Sequence, residues 1–173
     1  MKNLIALLSF AIVLSTTTTT ANGAETPTAL KWYTNLDEVH NLSAETGKPI
    51  FGFFTGSDWC GWCIKLQREV FAKPLFIEWA QTNVILLELD YPRKTVQDEA
   101  LKTQNRNLQQ AFQVTGYPTV WIFRSTKDAT TGSYNLSSLG KLGYPSGAIV
   151  GQEEVKFLET ANEILAKDTA KVN

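Results

Sequence analysis

The feature that most constrains this chain is a pair of cysteines three residues apart, Cys60-Gly61-Trp62-Cys63, set between a run that reads as a strand and one that reads as a helix. Ile50 to Phe54 is aromatic and β-branched and is entered through Gly47-Lys48-Pro49, the pattern of a short buried strand. From Cys60 to Phe71, Ile64, Leu66, Val70 and Phe71 mix with Lys65, Gln67, Arg68 and Glu69 at helical spacing, and Pro74 must end or kink that helix. Two cysteines on a first helical turn can bring their Cα atoms within the ~4.4–6.8 Å that a disulfide allows, so the bond can open and close with little backbone movement. Cys60 stands at the helix N-terminus, where unsatisfied N–H groups and the positive end of the helix dipole favour thiolate over thiol. It is the candidate nucleophile, and Cys63, one turn inside and less exposed, is suited to attack a mixed disulfide at Cys60. A purely structural disulfide is the plainer alternative, but closing so short a loop stabilises by only about 2 kcal/mol, against about 3 for a fifteen-residue loop.

The composition narrows what such a pair can do. The only other common soft ligand is a single histidine, His40, expected on the surface of a helix from Leu36 to Glu45, so cysteine and histidine alone cannot complete a four-ligand zinc site. Neither a metal nor a cofactor is expected. With 16 basic and 17 acidic residues the net charge is -1, too little for a field that would hold nucleic acid. A chain of 173 residues, 43% hydrophobic and 19% charged, is one folded domain. Its first 24 residues read differently: Lys2, an apolar run from Leu4 to Leu14 broken only by Ser9, then small and polar residues from Ser15 to Ala24. That run is about half the ~20 residues a spanning helix needs and has the layout of a cleaved secretory signal, with cleavage after Ala21, Gly23 or Ala24. Residues 25–173 then form the domain, in a compartment outside the cytoplasm where a cysteine pair can be oxidised.

Further along, Leu75 to Ala80 fits a short helix with Pro74 at its first position, and Val84 to Leu89 a second buried strand. Leu101, Leu108 and Phe112 mark one helical face, Thr119 to Phe123 a third strand, and Arg124 to Gly143 a hairpin ending in a strand near Leu139 to Leu142. Val155, Leu158 and Leu165 are the expected inward face of a C-terminal helix. The order describes an α/β protein with a sheet between helices.

Trp59-Cys60-Gly61-Trp62-Cys63 after a strand, together with Val114-Thr115-Gly116-Tyr117-Pro118-Thr119 before a strand, resembles the thioredoxin superfamily in its secreted branch. The similarity runs from about Lys31 to Ala166 and includes Gly143-Tyr144 before the last helix. It implies a thioredoxin-like fold with a central mixed sheet, redox-active Cys60 and Cys63, and a cis Tyr117-Pro118 bond beside Cys60. It also implies a substrate surface formed by Trp59, Gly61, Trp62, Tyr117 and Pro118. The chain departs from the family's commoner members in carrying Gly61-Trp62 between the cysteines, no acid from Pro49 to Ser57, and Leu86 where a lysine would be expected. Asp58 is expected to point to solvent. The resulting expectation is a monomeric periplasmic thiol-disulfide oxidoreductase acting on protein thiols or disulfides, a reductase fed by a membrane electron donor rather than an isomerase. The alternative is a binding module of the same fold with a silent disulfide.

Overall fold

The computed structural model describes residues 29–172, so the expected signal segment, residues 1–24, lies outside the described residues. Its elements are α1 (Leu36–Thr46), β1 (Ile50–Thr55), α2 (Gly61–Leu66) running on as a π-helical segment (Gln67–Phe71), α3 (Pro74–Asn83), β2 (Ile85–Asp90), α4 (Glu99–Ala111), β3 (Thr119–Lys127), β4 (Tyr134–Leu142) and α5 (Glu153–Val172). The four strands form one sheet in the order β2-β1-β3-β4. β1 is parallel to β2 and antiparallel to β3, and β3 and β4 form an antiparallel hairpin, so the sheet is mixed. Among the described residues no helix is long and apolar enough to cross a membrane.

Every residue of β1 is buried, because this strand lies inside the sheet with helices on both faces. Alternation along the strand divides the core. Phe51 and Phe53 point into a cluster with Cys60, Cys63, Leu66, Val70, Phe76 and Phe157, which belongs to α2, the π segment, α3 and α5. Ile50 and Phe54 point the other way, into a cluster with Val39 of α1 and Leu108 of α4. Gly52 between them has a packing reason: a Cβ there would come within 3.0 Å of the Phe123 ring on β3. α1 starts where the Asn35 side chain accepts the Glu38 N–H and stops at Gly47, whose φ of 71° is the left-handed conformation of a helix C-terminus. Pro74 occupies the first turn of α3, as expected from its missing N–H.

Two expectations change. β4 is a full nine-residue strand, and β3 also runs to Lys127. Both extensions lie in the outer part of the hairpin, where exposed Asn, Ser, Thr and Lys residues give no buried apolar run to read. On α5 the inward face is Phe157, Ala161 and Ile164, all buried, while Leu158 and Leu165 flank it and Val155 is exposed. Gly140 of β4 makes that face possible, since a Cβ there would lie 2.6 Å from the Ile164 side chain. Asp168 near the end of α5 accepts from Arg124 at 2.7 and 3.0 Å, and the same guanidinium donates to the Gly47 carbonyl, tying α5, β3 and the end of α1 together.

Thr55, the last residue of β1, is fully buried and its hydroxyl has no hydrogen-bond partner among the described residues. A buried hydroxyl without a partner lowers stability, and removing it while keeping the shape is neutral or favourable. Thr55→Val should therefore keep or raise the urea midpoint, whereas Phe51→Ala in the same strand should cost about 3–5 kcal/mol. Equilibrium unfolding of the two variants checks both.

Candidate active site

The site is built where β1 stops. Gly56 accepts the Trp59 and Cys60 N–H groups at 3.2 and 2.8 Å, turning the chain sharply. A Cβ on Gly56 would sit 2.4 Å from the indole of Trp59, so glycine is what lets that ring fold back over the turn. Cys60 is the N-cap of α2 in an extended conformation, and its sulfur accepts the Cys63 N–H at 3.2 Å. The two cysteines form a disulfide with Cα atoms 5.2 Å apart. Cys60 retains 6% of its surface and Cys63 none. Both cysteines thus belong to the buried cluster, with the small remaining exposure on Cys60 at the helix N-terminus.

Trp59 and Trp62 flank this disulfide in different ways. Trp59 is half-buried: its indole N–H donates to the Tyr91 carbonyl at 2.8 Å, and the Tyr117 ring meets it perpendicularly at 5.6 Å. Trp62 is 58% exposed and touches Tyr144 edge-on at 5.1 Å. Lys65 does not extend into solvent but lies over both rings, 5.0 Å from Trp62 and 4.8 Å from Tyr144, with Glu69 at 3.9 Å. Glu69 accepts the Tyr144 hydroxyl, and that bond, followed by Arg68, holds its carboxyl below the usual range. Gly61 is exposed, with open space where a side chain would be.

The expected cis bond is present. Tyr117-Pro118 is a cis peptide, just before β3. Tyr117 packs on Tyr91 as well as Trp59, accepts from the Gln109 amide at 2.8 Å, and has its hydroxyl pKa raised by burial. The structure therefore joins Trp59 and Tyr117 directly, and sets Trp62 against Tyr144 on the other flank.

Asp58 corrects the expectation of a solvent-facing acid. Its carboxylate accepts the backbone N–H groups of Arg93, Lys94 and Thr95, at 2.7–3.2 Å, and these bonds, the Arg93 N–H foremost, lower its pKa. His40 is likewise not a free surface group: it is half-buried, Nδ1 lies 2.9 Å from the Ser125 hydroxyl and its ring meets Tyr134. The acid missing from β1 has a neighbour that the sequence reading passed over. Glu88 of β2 sits beside Phe53 in the sheet, half-buried, and burial followed by Asp90 pushes its carboxyl upward. It lines a largely apolar hollow of about 540 Å³ with Leu30, Trp32, Phe53 and Phe71. Among the described residues no group of three or more His, Cys, Asp or Glu side chains could hold a metal ion.

A cysteine pair capping the helix that follows a central strand, with a cis-proline loop leading into the next strand of the sheet, defines the thioredoxin class of proteins. The profile of the thioredoxin-like domain matches residues 36–137, and the chain belongs to this family. It is 37% identical over 89 residues to the disulfide bond reductase DsbH of Chlamydia pneumoniae, a match covering 51% of this chain and 53% of that protein. It is 26% identical over 160 residues to the thioredoxin-related protein DsbJ of the same organism, covering 92% of this chain and 44% of the relative. The chain thus spans about half the length of the curated relatives it matches. Among solved structures, a DsbH oxidoreductase superposes with a TM-score of 0.66 at 28% identity, covering 86% of this chain and 95% of the other. A thioredoxin from Thermus thermophilus, at 17% identity and a TM-score of 0.57 over 84% and 95% of the two chains, shares the fold.

The lowered carboxyl of Asp58 gives a pH test of the loop it holds. Because the folded pKa is depressed, its contribution is complete above the ordinary carboxylate value of about 4 and is lost as pH falls through the folded value. Amide exchange at Arg93, Lys94 and Thr95 should accelerate in Asp58→Ala relative to the parent at neutral pH, measured by NMR. In the parent those amides should lose their protection only on acidification.

Proposed function

We propose that this protein is a thiol-disulfide oxidoreductase working through Cys60 and Cys63, and that its physiological direction is reduction of disulfides in exported proteins. The observation that carries the reading is the asymmetric pair at the start of α2, with Cys60 as the helix N-cap keeping a small remnant of exposure and Cys63 fully buried. In the reduced protein, the Cys60 thiolate attacks one sulfur of a substrate disulfide and the other leaves as a thiolate that takes a proton from water. The Cys63 thiol loses its proton to solvent and attacks the Cys60 sulfur of the mixed disulfide. The second substrate sulfur leaves, and the Cys60–Cys63 bond closes. Two electrons pass from the cysteine pair to the substrate. A separate reductant, proposed to be membrane-held, must then reopen the pair. The name of the relative DsbH supports the reductive direction. We assign residues 1–24 as a cleaved signal and the periplasm as the compartment, consistent with a pair that cycles through a disulfide. Trp59, Gly61, Trp62, Tyr117 and Pro118 form the surface on which the substrate rests.

Cys63→Ser should accumulate mixed disulfides with substrate through Cys60, and Cys60→Ser should not, as read by non-reducing electrophoresis and mass spectrometry. Trapping through Cys63 instead would reverse the assignment. Failure of either variant to trap, with a parent that reduces no disulfide, would leave the silent binding module.

Trp62 tests what sets the strength of the pair. Inside the motif only the helix N-terminus stabilises the Cys60 thiolate, because Trp62 brings no charge and Lys65 is drawn to Tyr144 and Glu69. Trp62→His should lower the Cys60 pKa, raise the reduction potential and improve recovery of a scrambled substrate. Ultraviolet thiol titration and equilibration with glutathione measure the first two quantities, and unchanged values would mean that the intervening dipeptide does not set them.

A further inference from the structure

The loop after β2 carries a cation whose placement the disulfide chemistry does not use. The Arg93 guanidinium lies over the face of Trp59, 3.7 Å from the ring centroid, on the residue that immediately precedes Cys60. Its backbone is fixed as well, since the Arg93 N–H donates to both oxygens of Asp58. Arg93 is exposed, and among the described residues no carboxylate or carbonyl accepts from its guanidinium. A planar guanidinium stacked on an aromatic face keeps its in-plane N–H donors open and is arranged for bidentate pairing with a carboxylate. The next residue, Lys94, is exposed and adds positive charge to the same loop.

The other charges near the motif do not compete for this role. Asp58 is spent on three backbone N–H groups, and Asp90 accepts from the Ser57 N–H and hydroxyl. On the opposite flank Lys65 is already matched by Glu69. Asp58 and Asp90 keep their negative charge, but their oxygens are turned to those N–H and hydroxyl donors; among the described residues the charged group lying over Trp59 with its hydrogen-bonding atoms still open is the Arg93 guanidinium.

Resting on the oxidoreductase reading above, we propose that Arg93 is a specificity-determining residue, and that the protein prefers substrate segments bearing an aspartate or glutamate side chain beside the reactive cysteine. The acidic side chain would pair with the guanidinium while the neighbouring apolar part of the segment lies along Trp59 and Tyr117. An exposed pair of this kind is worth a modest factor in kcat/KM and weakens with salt.

The test uses reduced full-length protein and three disulfide-linked peptides that differ only in the residue flanking the cysteine: glutamate, glutamine or lysine. The expected order of kcat/KM is glutamate, glutamine, lysine, with roughly fivefold between the extremes at low salt, shrinking as salt rises. Arg93→Gln should collapse the ratio towards one, and Arg93→Glu should invert it. Equal rates on all three peptides, or a ratio unchanged in Arg93→Gln, overturns the proposal while leaving the oxidoreductase reading intact. An equal loss on all three peptides in Arg93→Gln, accompanied by a shifted Cys60 pKa, also overturns it, since Arg93 would then act on the thiolate and not on the substrate. Reduction of none of the peptides by the parent protein removes the reading on which the proposal stands.

Discussion

The site depends on one steric allowance: the Trp59 indole lies where any side chain on Gly56 would be. That position lets a single ring touch three other residues on its side of the disulfide. Its N–H reaches the Tyr91 carbonyl beyond β2, its edge meets Tyr117 before the cis proline, and its face carries Arg93. Parallel pairing of β1 with β2 is why these groups are within reach. Thr55 stands opposite Asp90 in register, so the chain leaves both strands at the same edge of the sheet, and the loop after one runs beside the loop after the other. Ligand sites of open parallel sheets collect at such carboxyl ends.

The two tryptophans then serve opposite purposes. Trp59 is fixed by a hydrogen bond and ring contacts, a wall that does not have to be ordered when a partner arrives. Trp62 is held only along one edge by Tyr144 and offers most of its surface. A rigid face beside an adaptable one confines the cost of ordering on any contact to one side of the disulfide.

How much of this was legible in the sequence follows from how local each feature is. The buried strand before the cysteines and the helix after them are each encoded within a few residues by apolar runs and punctuation, whereas the proline loop and the fold were legible through the resemblance of the paired motifs to the superfamily. The first half of β4 escaped, while its end near Leu139 to Leu142 was read, because an edge strand with one solvated face shows Asn135, Ser137 and Ser138 instead of a hydrophobic run. The inward face of α5 was misplaced because Ala161 is small and its burial depends on the stripe it shares with Phe157 and Ile164, whereas Val155 looks apolar and is not covered. Asp58 and the 93–95 backbone are 35 or more residues apart and meet only through strand register, which no local pattern records. Glu88 is not marked by any pattern on β1, because only strand register sets it beside Phe53.

The π-helical segment that continues α2 has a consequence for how the disulfide is supported. Where the Ala72 N–H bonds back five residues to Gln67, the helix makes room for one extra residue in a turn, and the consecutive Val70 and Phe71 are both buried. Phe71 lies at 5.0 Å from Phe53 and stacks at 4.7 Å on Phe76 of α3. The far end of the helix is thereby bolted to β1 and to the next helix, while its first turn holds the cysteines. Mechanically the element has its anchorage at the end away from the cysteines, so the turn that carries the disulfide is backed by a base fixed to both a strand and a neighbouring helix.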